Sequence, residues 1–238
     1  GAFIDTGLRD KSYTGFALDI SAVADGEHTV AVRGVDMAGN TGAVQTVTLK
    51  VDRVAPTLTA FALEPSSWRD ANTVSLTWTG AKDIHSGLTG MAYQINHGSA
   101  VPLTVSENGQ QTINTSALPD GTHIIALILT DALGNARTAE RTLFIDRTAP
   151  EVQLTSPQNG AVVTGVLEIW GSARDRSLSD WTVTARGSSG KTVTVSTGTT
   201  EKDAEQLGVL DTGMFADGET IEIVLTAHDL AAHESIAR

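Results

Sequence analysis

Asp120–Pro150 reads DGTHIIALILTDALGNARTAERTLFIDRTAP. The same design occurs earlier, at Asp25–Pro56, as DGEHTVAVRGVDMAGNTGAVQTVTLKVDRVAP, and a divergent third copy, DGETIEIVLTAHDLAAHESIAR, starts at Asp217. Asp25, Asp120 and Asp217 lie 95 and 97 residues apart, and Pro56 and Pro150 lie 94 apart. A spacing of that size with a conserved internal pattern is the mark of one unit repeated in tandem.

Each copy opens on Asp-Gly, a pair suited to a tight turn because glycine accepts positive φ and aspartate bonds nearby backbone. An alternating run follows. Two, four and six residues before Asp131 stand Leu129, Leu127 and Ile125; before Asp36 stand Gly34, Val32 and Val30; before Asp229 stand Ala227, Leu225 and Ile223. A period of two with one apolar side predicts a half-buried antiparallel strand. A turn comes next, Asp-Met-Ala-Gly-Asn at 36–40 and Asp-Ala-Leu-Gly-Asn at 131–135, where Gly39 and Gly134 supply positive φ. The chain then runs back over Thr46–Val51 and Thr142–Ile145, and Asp-Arg-x-Ala-Pro leads onward. Each copy is therefore expected to be a closing β-hairpin plus a linker.

The pattern DG-x-H-x-V-x-V-x-x-x-D-x-A-G-N, followed by VD-x-x-AP, resembles the closing hairpin of bacterial Ig-like and fibronectin-type-III-like repeats. Residues 171–187 (GSARDRSLSDWTVTARG) and 207–218 (LGVLDTGMFADG) resemble Ig-like modules that precede the YD repeats of Rhs-type toxins. The resemblance covers nearly the whole chain. It implies an all-β fold of tandem Ig-like β-sandwich modules in an elongated array, within a large secreted or cell-surface bacterial protein. Such modules host many roles, so the resemblance speaks to fold more than to function.

The 238 residues leave room for two or three domains, and 40% hydrophobic content suffices for packed cores. There is no cysteine, which removes the inter-sheet disulfide of antibody-type domains and all thiolate chemistry. No stretch approaches the length of a membrane-spanning apolar helix, so no membrane insertion is expected in this segment. Net charge is −12, and it is uneven: residues 1–55 carry 5 basic and 7 acidic groups (−2), 56–149 carry 5 and 8 (−3), and 150–238 carry 6 and 13 (−7). Such a surface repels phosphate backbones, so no nucleic-acid partner is expected.

Three divisions follow. Residues 1–55 read as the C-terminal part of a truncated Ig-like module, with a short strand near Phe16–Ile20 before the hairpin and with Val30 and Val32 left facing water. Residues 56–149 read as a complete module, with strands at Thr57–Leu63, Thr73–Thr79, Met91–Asn96 and Gln111–Ala117 ahead of the hairpin, and turns at Ser86–Gly90 and His97-Gly98. Residues 150–238 read as a module lacking its last strand. In it Leu167, Ile169, Gly171 and Ala173 share a face, Trp181, Val183 and Ala185 follow, Lys191–Thr197 is a strand, and the polar stretch 199–208 is a loop with one helical turn. The linkers Val51–Pro56 and Ile145–Pro150 contain no Gly/Ser run, and proline biases the preceding residue to extended backbone, so strand should follow strand with little slack.

No GxSxG, P-loop, GxGxxG, CxxC or HExxH pattern occurs, so no catalytic, cofactor-binding or metal residue is assigned and no cofactor is expected. His28 and His123 stand where the third copy has Ile221, which marks strand entry rather than catalysis; His85, His97, His228 and His233 lack ligand spacing. Asp83 and Asp175 follow the matched stretches WTGAKD and WGSARD and are expected to cap turns. Asp36, Asp131 and Asp229, with Asp52, Asp146, Asn40 and Asn135, put two or three oxygen ligands near each junction, against the six to eight that calcium takes, so turn capping is the expectation there too. Asn114-Thr115-Ser116 fits a glycosylation sequon. Trp78 and Trp181 are in phase with core positions, Trp170 falls on the face of Glu168, and Trp68 sits in a loop. The expected function is a non-catalytic spacer whose partners are other domains of its parent protein. The alternative is an adhesin or a carbohydrate- or protein-binding module that uses loops and exposed tryptophans.

Overall fold

The computed structural model describes residues 17–238. The hairpin that defines the repeat is present three times. β1 (Gly26–Val32) pairs antiparallel with β2 (Gln45–Val51), Val30 facing Val47 and His28 facing Leu49. Ahead of it, Ala17–Ile20 form no strand, and Phe16 lies outside the described residues. Val32 and Val47 are exposed at 44% and 61%, whereas Val30, also expected to face water, is half-buried.

The next seven strands are β3 (Ala60–Glu64), β4 (Thr73–Thr79), β5 (Leu88–Ile95), β6 (Val101–Pro102), β7 (Gly109–Asn114), β8 (Gly121–Asp131) and β9 (Ala136–Ile145). They form two sheets, β3-β4-β7 and β6-β5-β8-β9. Alternation decides which side chains meet between the sheets. Phe61, Leu63, Val74, Leu76 and Trp78 come from the first sheet; Met91, Ile125, Leu127, Leu129, Leu143 and Ile145 come from the second, and all are buried. Burying an aliphatic side chain of this size stabilises by about 1.5–3 kcal/mol each, which makes this layer the main source of the module's stability.

The same topology recurs in β10 (Glu151–Ser156), β11 (Val166–Arg174), β12 (Leu178–Gly187), β13 (Thr192–Gly198), β14 (Lys202–Asp211), β15 (Ile221–Asp229) and β16 (Glu234–Ala237). The sheets are β10-β11-β14 and β13-β12-β15-β16. Their core holds Ile169, Ala173, Trp181, Val183, Ala185, Leu207, Leu210, Leu225 and Ala227. Two expectations fail here. The closing strand, expected to be missing, is present as β16, which pairs with β15 from Leu225↔Ala237 to His228↔Glu234. The stretch 199–208 is not a loop with a helical turn. From Lys202 it is the first part of β14, because pairing with β11 buries Leu207 and Leu210. Its polar residues sit where the register slips and Ala204 takes φ 51°, a bulge that lets an exposed run stay in the ladder. The helical turn is a 3₁₀ turn at Thr212–Met214, after the strand, with Asp211 capping the Gly213 N–H.

Candidate functional site: the joints between modules

Both linkers are built on one dipeptide that reaches in two directions. Asp52-Arg53 follows β2, and Asp146-Arg147 follows β9; both aspartates are buried. Each aspartate faces forward. Asp52 accepts from the Val54 N–H at 3.0 Å and, through its other oxygen, from the Ser86 N–H at 3.1 Å. Asp146 accepts from the Thr148 N–H at 3.1 Å and from the Ser177 hydroxyl. Each arginine faces backward. Arg53 donates to the carbonyls of Ile20 and Val23 and pairs with Asp25 at 3.2 Å. Arg147 donates to the carbonyls of Ala71, Thr115 and Leu118 and lies 3.6 Å from Asp120. A guanidinium presents several donors in a fixed fork, so one residue gathers several loop carbonyls.

Further contacts cross each joint. At the first, the Asn135 side-chain amide donates to the Asp52 carbonyl at 3.4 Å. At the second, Arg176 donates to the Asp120 carbonyl at 3.0 Å, and His233 Nε2 lies 3.4 Å from Asp70. Gly121 lies against that contact in a backbone conformation that favours glycine. Its φ is +136°, and a Cβ there would stand 2.6 Å from the Arg176 guanidinium.

The hairpin turn is one motif written three times, and its second and third copies face the two joints. Asp36 accepts from the N–H groups of Ala38 and Asn40 and from the Asn40 side chain. Asp131 does the same with Leu133 and Asn135, and Asp229 with Ala231 and His233, whose Nδ1 stands 2.7 Å away in the place of the asparagine amide. Burial raises the Asp131 pKa, but bonds from Asn135 and Leu133 offset this, and the carboxyl titrates below its ordinary value. The partnership with Asp229 raises the His233 pKa.

Two carboxylate clusters result. Asp52, Asp83 and Asp131 bring one oxygen each within 4.8 Å of one another, and so, with one ligand atom each, do Asp146, Asp229 and His233. Asp83 caps its own turn, accepting from the N–H groups of His85, Ser86 and Gly87. Asp175, its counterpart, accepts from the Ser177 N–H at 2.7 Å; burial first, then Asp146 and Asp229, raise its pKa. Such groups serve chemically as turn caps, and the convergent oxygens also match the ligand type of a hard divalent cation. Sequence reading put Asp52 with Asp131 but left Asp83 out, and it did not join His233 to Asp146. The matched WTGAKD and WGSARD stretches were the available signal.

The other candidates separate. His28 and His123 each place Nε2 on a carbonyl four residues back, Ala24 at 2.7 Å and Pro119 at 2.8 Å, which is strand entry. His228 has both ring nitrogens on carboxylates, Asp180 at 2.9 Å and Glu234 at 3.2 Å, and Asp180 is the main cause of its raised pKa. Trp78 and Trp181 are buried, with indole N–H groups on the Ser106 and Thr200 carbonyls. Trp68 packs on Phe144, ring centres 5.2 Å apart, and Trp170 is 39% exposed. Among the described residues, no helix is long and apolar enough to cross a membrane.

Among curated proteins, none matches the chain. Among solved structures, it is similar to a tetra-tandem repeat in the extending region of a large adhesion protein (24% identity, TM-score 0.44), covering 92% of this chain and 57% of that one. It is also similar to dimeric latent PorU from Porphyromonas gingivalis (13%, TM-score 0.32; 89% and 23% covered). A third similarity is to carbohydrate-binding modules of the β-sandwich superfamily (10%, TM-score 0.35; 78% and 96% covered). The chain thus spans little more than half the length of the tandem-repeat structure. The profile of the bacterial Ig-like domain, group 3, matches residues 107–231, more than half of the sequence, and the chain belongs to that family.

Proposed function

We propose that this chain is a non-catalytic spacer segment of a large secreted or cell-surface bacterial protein, in which residues 1–55, 56–149 and 150–238 act as successive modules in an elongated array. The observation that supports it is the Asp-Arg linker, whose aspartate holds the following module while its arginine holds the preceding one, at both joints. Its partners on this reading are the neighbouring domains of the parent protein. Spin labels on exposed β5 and β13 positions test the stiffness of the second joint. A narrow distance distribution is expected in the full chain, and a broader one in Asp146→Ala. A distribution already broad in the unaltered chain would overturn the spacer reading.

The sandwiches are expected to fold without a divalent cation, because the joint carboxylates are already engaged by N–H and O–H donors and each core lies inside its own module. Thermal melts with calcium and with EDTA should agree. An upward shift of more than a few degrees with calcium would instead assign the clusters a binding role. A second reading, a carbohydrate- or protein-binding module, is favoured by one specific observation, the half-exposed indole of Trp170.

A further inference from the structure

The outer faces of the two three-stranded sheets occupy equivalent positions and differ in chemistry. On β3-β4-β7 the outward side chains are small and polar, among them Ser75, Thr77 and Thr112, and Gln110 donates to the Ser75 hydroxyl at 2.8 Å. This is the ordinary water-facing side of an antiparallel sheet. On β10-β11-β14 the strand β11 turns Val166, Glu168 and Trp170 outward, and the register sets Asp211 beside Val166, Val209 beside Glu168 and Gln206 beside Trp170. Val166, Val209 and Trp170 are exposed at 70%, 49% and 39%.

The indole is held. Its N–H donates to Glu168 Oε2 at 3.2 Å, two residues back on the same face, so the ring is swung along its own strand with little rotamer freedom to lose on binding. Glu168 is bonded to it, Gln206 is its partner on β14, and Asp211 lies farther along the same face, beside Val166. Arg174, farther along β11, is taken up by Glu151 and Asp203, 2.9 Å from each, and Lys202 by Glu205 at 2.8 Å.

Charge complementarity narrows the occupant. Among the described residues the cations of β11 and β14, Arg174 and Lys202, are ion-paired, so a face with Glu168 and Asp211 repels phosphate, sulfate and uronate. It suits a neutral ligand rich in hydroxyl donors. A pyranose ring offers that, with an apolar C–H face for the indole and hydroxyls for the carboxylate and amide. We propose that the outer face of β10-β11-β14 is a platform for a neutral pyranose polysaccharide, with Trp170 as the stacking ring and Glu168 and Gln206 as hydroxyl partners. The proposal rests on the binding reading and not on the spacer reading, whose joint-stiffness test is independent of it.

The test is native affinity electrophoresis of the full chain in gels containing a mixed-linkage β-glucan or a galactomannan, with polygalacturonate as the anionic contrast. Retardation by at least one neutral polymer is expected, weakened at least tenfold in Trp170→Ala and unchanged in Trp68→Ala. Trp170 is a surface residue, so an unaltered melting temperature should accompany the loss. Absence of retardation by both neutral polymers, retardation that survives Trp170→Ala, or equal retardation by polygalacturonate would each overturn it. So would concentration-dependent dimerisation by sedimentation that Trp170→Ala abolishes, since the face would then serve a second copy.

Discussion

The two seven-stranded sandwiches share their topology strand for strand but fill it from opposite sides. In the second module the core tryptophan, Trp78, comes from β4 in the three-stranded sheet; in the third, Trp181 comes from β12 in the four-stranded sheet. Each indole nevertheless lies over a glycine on the paired strand, Gly109 or Gly198, and each donates its N–H to a loop carbonyl. The closing hairpin and the linker stay constant while the aromatic that plugs the core changes sheets. Two solutions to one packing problem show that the fold asks for a filled volume and not for a particular residue at a particular place.

The sharpest way to break this comparison is to remove the plugs. Trp78→Ala and Trp181→Ala should each cost about 3–5 kcal/mol in their own module, as truncation of a buried aromatic does. Trp68→Ala, which loses a tilted ring contact with Phe144 at a half-buried loop position, should cost far less. Equal shifts in denaturant midpoint for Trp78→Ala and Trp68→Ala would mean that Trp78 does not anchor the core.

The seats come next. A Cβ on Gly109 would lie 2.3 Å from the Trp78 ring, and one on Gly198 2.4 Å from Trp181. Gly109→Ala and Gly198→Ala should each destabilise by about 1–3 kcal/mol, the usual range for overpacking. Suppression of Gly109→Ala by a smaller residue at position 78 would tie the cost to the ring.

The turns give a smaller effect with opposite signs. Gly39 and Gly134 take φ near +87° and +89°, and the third copy holds Ala232 at φ 73°. Ala232→Gly should therefore stabilise the third module by about 1 kcal/mol, and Gly134→Ala should destabilise the second by a similar amount. Chemical denaturation of the two variants reads both signs.

The smallest expected effect is a difference in pH response. His228 and His233 have raised pKa values in the folded chain, by Asp180 and Asp229 respectively. Their contribution is fully present below the unfolded histidine value of about 6.5 and is lost as pH rises through the folded values. Asp131 is lowered, so its contribution is present above the unfolded carboxylate value and is lost only as strong acid carries pH through its folded value. Between pH 6 and 8 the third module should thus lose protection from hydrogen exchange relative to the second. His233→Asn, which restores the residue of the other two copies, should reduce that pH dependence and keep the turn.

Much of this was legible because alternation is a local signal. Ile125, Leu127 and Leu129 were placed on one face by period two, and all three are fully buried. β14 was misread because its first half carries Lys, Asp, Glu and Gln; what makes it a strand is pairing with β11, 29 to 45 residues away in sequence. β16 was missed because Arg238 aligns with Glu140, ahead of the return strand expected at Thr142–Ile145; that strand in fact begins at Ala136, and its counterpart Glu234–Ala237 already pairs with β15. At the joints, the turn caps followed from residue type and spacing. The meeting of Asp83 with Asp52 and of His233 with Asp146 did not, because it depends on how one module seats on the next.

The Asp-Arg linker has a consequence for how such a chain can change length. Arginine belongs to the module it follows and aspartate to the module it precedes, so a copied stretch that ends after the dipeptide carries half of one joint at each end. Its Ser86 or Ser177 equivalent meets the aspartate before it, and its own aspartate meets the serine after it. Duplication or deletion of whole modules by unequal recombination then regenerates a matched joint each time, with no second mutation needed. The length of the chain then changes in steps of about 95 residues, the spacing of the repeats.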